Sequence, residues 1–391
     1  MRDGTVESSP LAALLRDKIR RHGPVSFSWF MEQALYHPEL GYYTSTRRRI
    51  GRQGDFYTNV SVGRVYGQLL ASQLIEMWKF LGMPRDFSVV EEGAEDGQLA
   101  LDILSAFEEE PVAAAADIRY TIVEPSFSKQ LQQRARLEPQ FAGKTGWLTR
   151  LADLEPVTGA FISNEFVDAM PVHVVEYGND RWSELLVENS GEHFVFAPSR
   201  VEKFELRQAL EKLPVPAGSP YRTEVNLAAA PWIQAVGSKL IRGFILIVDY
   251  GYPRQEYYRP ERTGGTLSCY SRHRRTYNPL ERPGEIDITA HVDFTSLAEA
   301  AEQVALRIGG YSDQHHFMIG AAEAHLRALE KVIEVQGLTR AHSAFLGAYR
   351  TLMHPGNMGM VFKFLLLTKG VGENSELSGF RYARDPRTSL W

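Results

Sequence analysis

The segment Ser88-Val89-Val90-Glu91-Glu92-Gly93-Ala94-Glu95-Asp96-Gly97-Gln98-Leu99-Ala100 constrains the fold most, because a short apolar strand passes through a turn with two glycines into an apolar-periodic helix. The same order recurs along the chain. Arg119-Tyr120-Thr121-Ile122-Val123 leads into a helical pattern over 128–137, and residues 160–163, 244–249 and 360–365 are further apolar strands. Such alternation predicts an α/β fold, a parallel sheet with helices on both faces. In these sheets ligands bind outside the carboxyl ends of the strands, so residues at strand ends are the candidate site.

Glu124 follows the second strand, and a carboxylate there can accept both hydroxyls of a ribose. The ligand expected is therefore nucleoside-containing. A dinucleotide would set its pyrophosphate against a turn that carries Glu91, Glu92, Glu95 and Asp96, and like charges would meet. At ~4 Å, unit charges interact by about 1 kcal/mol in water and several times that near a protein surface. A ligand with a sulfonium and an ammonium is favoured instead, which points to S-adenosylmethionine and away from NAD. The same residues also suit a plain strand-to-helix turn, where acidic side chains favour the helix dipole.

With 391 residues, 44% hydrophobic and 23% charged, the chain has length for one large or two medium domains. A net charge of −5 gives no overall basic field, so nucleic acid is not an expected partner. Cys269 is the one cysteine, which excludes an intramolecular disulfide and a multi-cysteine zinc site. The first residues have neither an apolar secretory core nor the basic character of a transit peptide, and no run reaches transmembrane length. The expectation is a cytoplasmic protein without membrane insertion.

Residues 1–82 read as a helical extension, interrupted at Pro24 and Pro38, with a lid-like polar loop over 51–59 and a helix over 62–81. Residues 83–171 and 236–370 form the expected core, in which 253–292 is a substrate-side segment. Residues 172–235 are an inserted substrate-side subdomain of short antiparallel strands, joined by Gly178-Asn179-Asp180 and Asn189-Ser190-Gly191. Residues 371–391 are a tail.

The strand over 160–163 ends in Asn164-Glu165-Phe166-Val167-Asp168-Ala169-Met170-Pro171. If this piece turns helically, Glu165 and Asp168 share a face and could hold a guanidinium through charge-assisted hydrogen bonds. A helix N-terminal turn rich in capping residues is the plainer reading. Asp249, at another strand end, could line the same crevice. Arg272-His273-Arg274-Arg275 reads as solvated surface, and the group Asp287-Ile288-Thr289-Ala290-His291-Val292-Asp293 as structural, since no spacing supports a metal.

Six ordered segments resemble the MidA-like family, which includes the mitochondrial complex I assembly protein arginine methyltransferase and bacterial relatives. They are Ala34-Leu35-Tyr36-His37-Pro38-Glu39-Leu40-Gly41-Tyr42-Tyr43, Gly54-Asp55-Phe56-Tyr57-Thr58, the glycine turn, 164–172, Asp249-Tyr250-Gly251 and 287–294. The resemblance implies a seven-stranded Rossmann-like methyltransferase core and methyl transfer from S-adenosylmethionine to an arginine of a protein. It admits a respiratory complex I subunit as substrate and a homodimer. Glu165 and Asp168 are then the catalytic candidates, and Glu91, Gly93, Gly97, Glu124 and Asn164 the cofactor-binding ones. The family has a third glycine where this chain has Glu95, whose side chain would crowd the ligand. A binding or assembly factor without efficient catalysis is the alternative this departure raises.

Overall fold

The computed structural model describes residues 9–44, 58–114, 116–214, 220–271, 274–276, 278–372 and 376–391. Most of the expected lid-like loop, with Gly54-Asp55-Phe56-Tyr57, and Arg272-His273 lie outside the described residues. The chain divides into two compact units: the first comprises Met1–Phe56, Asp168–Ala229 and Arg254–Val292, the second Tyr57–Val167, Ala230–Pro253 and Asp293–Trp391.

The second unit is built on a sheet whose main path has seven strands: β1 (Phe87–Glu92), β2 (Arg119–Val123), β3 (Thr145–Leu148), β4 (Val157–Asn164), β5 (Leu240–Tyr252), β6 (Arg307–Asp313) and β7 (Phe362–Lys369). Their spatial order is β6-β7-β5-β4-β1-β2-β3, with a short eighth strand off this path. Strands β1 to β5 pair in parallel, and β7 runs antiparallel to both β5 and β6. Order reverses between β1 and β4, the switch point where α/β sheets open a crevice for ligands. Glu92 is in register with Val123 on one side and Ser163 on the other, and Asn164 with Val248. Four strand ends thus present Glu92, Glu124, Asn164 and Asp249 along one edge.

Helices α1 (Val65–Phe80), α2 (Gln98–Glu109), α3 (Phe127–Phe141), α4 (Ala229–Lys239), α5 (Phe294–Gln303), α6 (Gln314–Gln336) and α7 (Arg340–Met353) accompany the sheet. Because helices cover both faces, the central strands are unbroken apolar runs: Phe244 to Val248 and Phe364 to Leu367 are fully buried. Leu99, Ile103 and Phe107 recur every fourth position on α2 and join Leu69, Leu70, Leu74 and Val89 in one core. Each such side chain stabilises the fold by about 1.5–3 kcal/mol. Asp293 caps α5, accepting the N–H groups of Thr295 at 3.0 Å and Ser296 at 3.2 Å, which accounts for one acid of the 287–293 group in structural terms.

The first unit contains an antiparallel sheet in the order Val25–Ser26, Arg181–Ser190, His173–Gly178, Tyr221–Val225, with His193–Ser199 paired to Arg181–Ser190. Asn179 and Asp180 take φ of 51° and 59°, the left-handed pair that a two-residue hairpin turn demands. Helices Pro10–His22 and Phe27–Tyr36 lay Leu11, Leu15, Phe27 and Phe30 against Val174, Leu185 and Val187. Segment 1–82 therefore divides: its first two helices share a core with the hairpin strands, whereas α1 shares the core of the large sheet.

Candidate active site

Gly93 and Gly97 have φ of 81° and 80°, and Glu95 between them has φ of 47°. The turn therefore keeps the left-handed conformation at the position where the family has glycine, at a cost of about 1–3 kcal/mol for a residue with a side chain. The Glu95 carboxylate is joined to Lys129 of α3 and stays about a third exposed at 35%. Its backbone carbonyl accepts from Gln133 at 2.9 Å. Crowding by Glu95 is relieved by this outward pairing. Asp96 pairs with Arg136 at 2.9 Å and accepts the N–H of Gln98 at 3.1 Å. Lys129, Gln133 and Arg136 stand at i, i+4 and i+7, so one face of α3 meets the turn. The turn is consequently less negative than its sequence implies, because two of its four carboxylates are paired.

Glu91 is buried in β1 and accepts from the Tyr120 hydroxyl at 2.8 Å. Burial pushes its carboxyl up to about 7, against the pull of that hydroxyl. Glu92 accepts from the Trp232 indole at 2.8 Å, and Trp232 lies against Phe166 at 5.5 Å between ring centres. At the end of β2, Glu124 is 8% exposed and accepts the Ser126 N–H at 2.8 Å. Gln133 reaches its other oxygen at 3.4 Å. Burial raises its carboxyl, and the charge of Lys129 opposes that rise.

The end of β4 carries a second cluster. Asn164 accepts the hydroxyl of Tyr66, from α1, at 2.5 Å and donates to Glu165 at 3.2 Å, so both ends of its amide are engaged within the protein. Glu165 has φ of 51°, a left-handed conformation uncommon for a residue with a side chain. Its N–H donates to the Val248 carbonyl at 2.9 Å, and its carboxylate accepts from the Tyr250 hydroxyl at 3.1 Å. Asp249, fully buried, accepts the N–H groups of Val167 at 2.8 Å, Phe166 at 3.2 Å and Tyr250 at 2.8 Å. These bonds hold the chain after β4 as an irregular turn. The face that Glu165 and Asp168 would share in a helical turn does not form, since Glu165 itself takes a left-handed φ of 51° that no α-helix admits. Burial and the Asp249 charge push the Glu165 carboxyl up to about 8, against hydrogen bonds from Tyr250 and Asn164.

Asp168 belongs to the first unit, where its carbonyl accepts the Ala290 N–H at 2.9 Å and its charge, with Asp287, helps raise the buried Tyr43 phenol. Sequence reading did not single out Lys129, Gln133, Tyr66 or Trp232, and it met Tyr250 only as part of the Asp249-Tyr250-Gly251 segment. The spacing of polar residues on one face of α3 is a signal that could have found the first two. Among the described residues no group of three or more His, Cys, Asp or Glu side chains could hold a metal, and no helix is long and apolar enough to cross a membrane.

The left-handed glycine turn, the carboxylate after β2 and the strand order fit S-adenosylmethionine, whose ribose needs an acceptor of Glu124's kind and whose methionine part needs close backbone approach. Comparison with known proteins agrees. A family model for S-adenosyl-L-methionine-dependent methyltransferases matches residues 69–312. A crystal structure from Burkholderia thailandensis bound to S-adenosyl-homocysteine is 31% identical, covers 97% of this chain and 96% of its own, and superposes with a TM-score of 0.86. A mitochondrial protein arginine methyltransferase homologue of Drosophila melanogaster is 29% identical, with 92% of this chain and 85% of its own length aligned. The mitochondrial protein arginine methyltransferase of Homo sapiens is 26% identical, with 97% and 87% aligned. The expectation of a cytoplasmic protein is corrected by these relatives, which are named as mitochondrial. The chain belongs to the family of S-adenosyl-L-methionine-dependent methyltransferases.

Proposed function

We propose that this methyltransferase acts on an arginine of a protein substrate and, following the family resemblance, that a respiratory complex I subunit is the acceptor. The names of the fly and human relatives support arginine. The observation that carries the reading is Glu165, in a left-handed backbone conformation at the end of β4, with its carboxylate held by Asn164 and Tyr250 and its carboxyl raised to about 8.

A guanidinium is a weak nucleophile, because its lone pairs are delocalised and it is already a cation. The sulfonium supplies an electrophilic methyl group. As the N–C bond forms the S–C bond breaks, its electron pair stays on sulfur to give a neutral thioether, the positive charge passes to the methylated nitrogen, and one guanidinium proton must go to a base. Glu165 takes that proton at a carboxylate oxygen, and a carboxyl poised near the working pH is well matched to the task. Asn164 and Tyr250 orient it, which favours a single in-line geometry over many unproductive ones. Gly93 and Gly97 give the methionine part access to the backbone, Glu124 accepts the ribose hydroxyls, and Glu91 braces the turn from β1. Asp168 takes no part in this proposal.

Glu165→Gln tests it. S-adenosyl-homocysteine affinity is expected to stay within about twofold while methyl transfer falls by about a hundredfold or more. Turnover within about threefold of the unchanged protein would remove Glu165 from the chemistry.

A further inference from the structure

Glu95 and Lys129 are joined as a pair in which the ammonium is largely covered, its side chain 16% exposed. Lys129 and Gln133 stand one turn apart on α3. Gln133 touches both the Glu95 carbonyl at 2.9 Å and the Glu124 carboxylate at 3.4 Å. The same face of one helix therefore serves two places: the glycine turn and the strand end beyond β2. Lys129 from α3 and Glu95 from the turn act on Glu124 with opposite signs.

We propose that Lys129 is a cofactor-affinity residue: by pairing with Glu95 on the glycine turn it cancels a charge that would otherwise stand beside the strand end where Glu124 accepts the ribose hydroxyls. A carboxylate at the glycine position would otherwise stand near a second, covered carboxylate, and the pair would repel. This inference rests on the reading of Glu124 as the ribose acceptor.

The sign of the pH effect follows from burial. Glu124 is already raised, and Lys129 works against that rise. Without the ammonium, Glu124 binds a proton at higher pH and loses acceptor strength as the solution is made more acidic. Glu91 also titrates near neutrality, but it does so in every variant, so comparison at each pH removes its effect.

The experiment is calorimetric titration of the full chain with S-adenosyl-homocysteine at about pH 6 and about pH 8.5, for the unchanged protein, Lys129→Met, Lys129→Gln, Lys129→Arg and Glu124→Gln. Lys129→Met and Lys129→Gln are expected to bind more weakly than the unchanged protein by a factor that is larger at the lower pH and shrinks at the higher, while Lys129→Arg stays within about twofold at both. A deficit of equal size at both pH values, or none, overturns the inference, since a merely structural role has no reason to follow pH. Having both neutral variants guards against one misfolding. If Glu124→Gln binds as well as the unchanged protein, the ribose reading itself fails; if it weakens while the neutral Lys129 variants do not, only the inference fails.

Discussion

The hydroxyl of Tyr250 donates to the carboxylate of Glu165 at 3.1 Å, joining the end of β5 to the residue after β4. The bond favours the ionised carboxylate, whereas burial and Asp249 favour the protonated one. Tyr250→Phe therefore moves the Glu165 carboxyl further up from about 8. If the carboxylate is the active form, the rising limb of the rate against pH shifts to higher pH by about one unit, and the rate near pH 7 falls about tenfold. A pH profile of kcat/KM checks this. An unmoved limb would mean that another group sets it.

Glu91 gives a stability prediction. Its carboxyl is raised to about 7 in the folded protein, above the ordinary value of 4.5 that the unfolded chain has. The folded state therefore holds the proton more tightly, and the contribution to stability is fully present below the unfolded value and is lost as pH rises through about 7. Glu91→Gln removes this titration and keeps an acceptor for the Tyr120 hydroxyl. The variant gains on the unchanged protein by up to about 3 kcal/mol between pH ~5 and pH ~8, measured by urea unfolding at each pH. A difference between the two proteins that does not vary with pH would contradict it.

Gly93 and Gly97 differ in what a methyl group would meet. An added Cβ at Gly93 comes within 3.0 Å of the Phe166 ring and 3.1 Å of its Cβ, whereas at Gly97 its nearest contact is Gln133 at an ordinary 3.4 Å. Both positions carry positive φ, so either substitution to alanine strains the backbone, by about 1–2 kcal/mol. Gly93→Ala adds the displacement of Phe166, and chemical denaturation should show the larger loss there. Equal losses would rule out the ring contact as the cause.

The first βαβ unit is legible in the sequence because Gly93, Gly97 and the four-residue spacing of Leu99, Ile103 and Phe107 are all local signals. Strand β6 is not: Gly309 and Gly310 interrupt its apolar pattern, and the reason lies far away, since a Cβ on Gly310 would meet the Phe380 ring at 2.4 Å. The site divides in the same way. Glu124 and Glu165 follow strands and are found by that rule, but Tyr66 reaches Asn164 only through the packing of α1. A helical turn over 165–168 does not form for a related reason, because the N–H of Glu165, at a left-handed φ of 51°, donates to the carbonyl of Val248, more than eighty positions on. Charge counting on the turn leaves out α3, whose Lys129 and Arg136 pair with Glu95 and Asp96.

The acceptor is the center of the account, and it is tested by incubating the protein with methyl-labelled S-adenosylmethionine and a lysate of cells that lack its gene. Label on a side-chain nitrogen of arginine in a discrete polypeptide, absent when Glu165→Gln replaces the unchanged protein, is the result predicted. Label on another residue type, or no polypeptide labelled above a control without the protein, would contradict it.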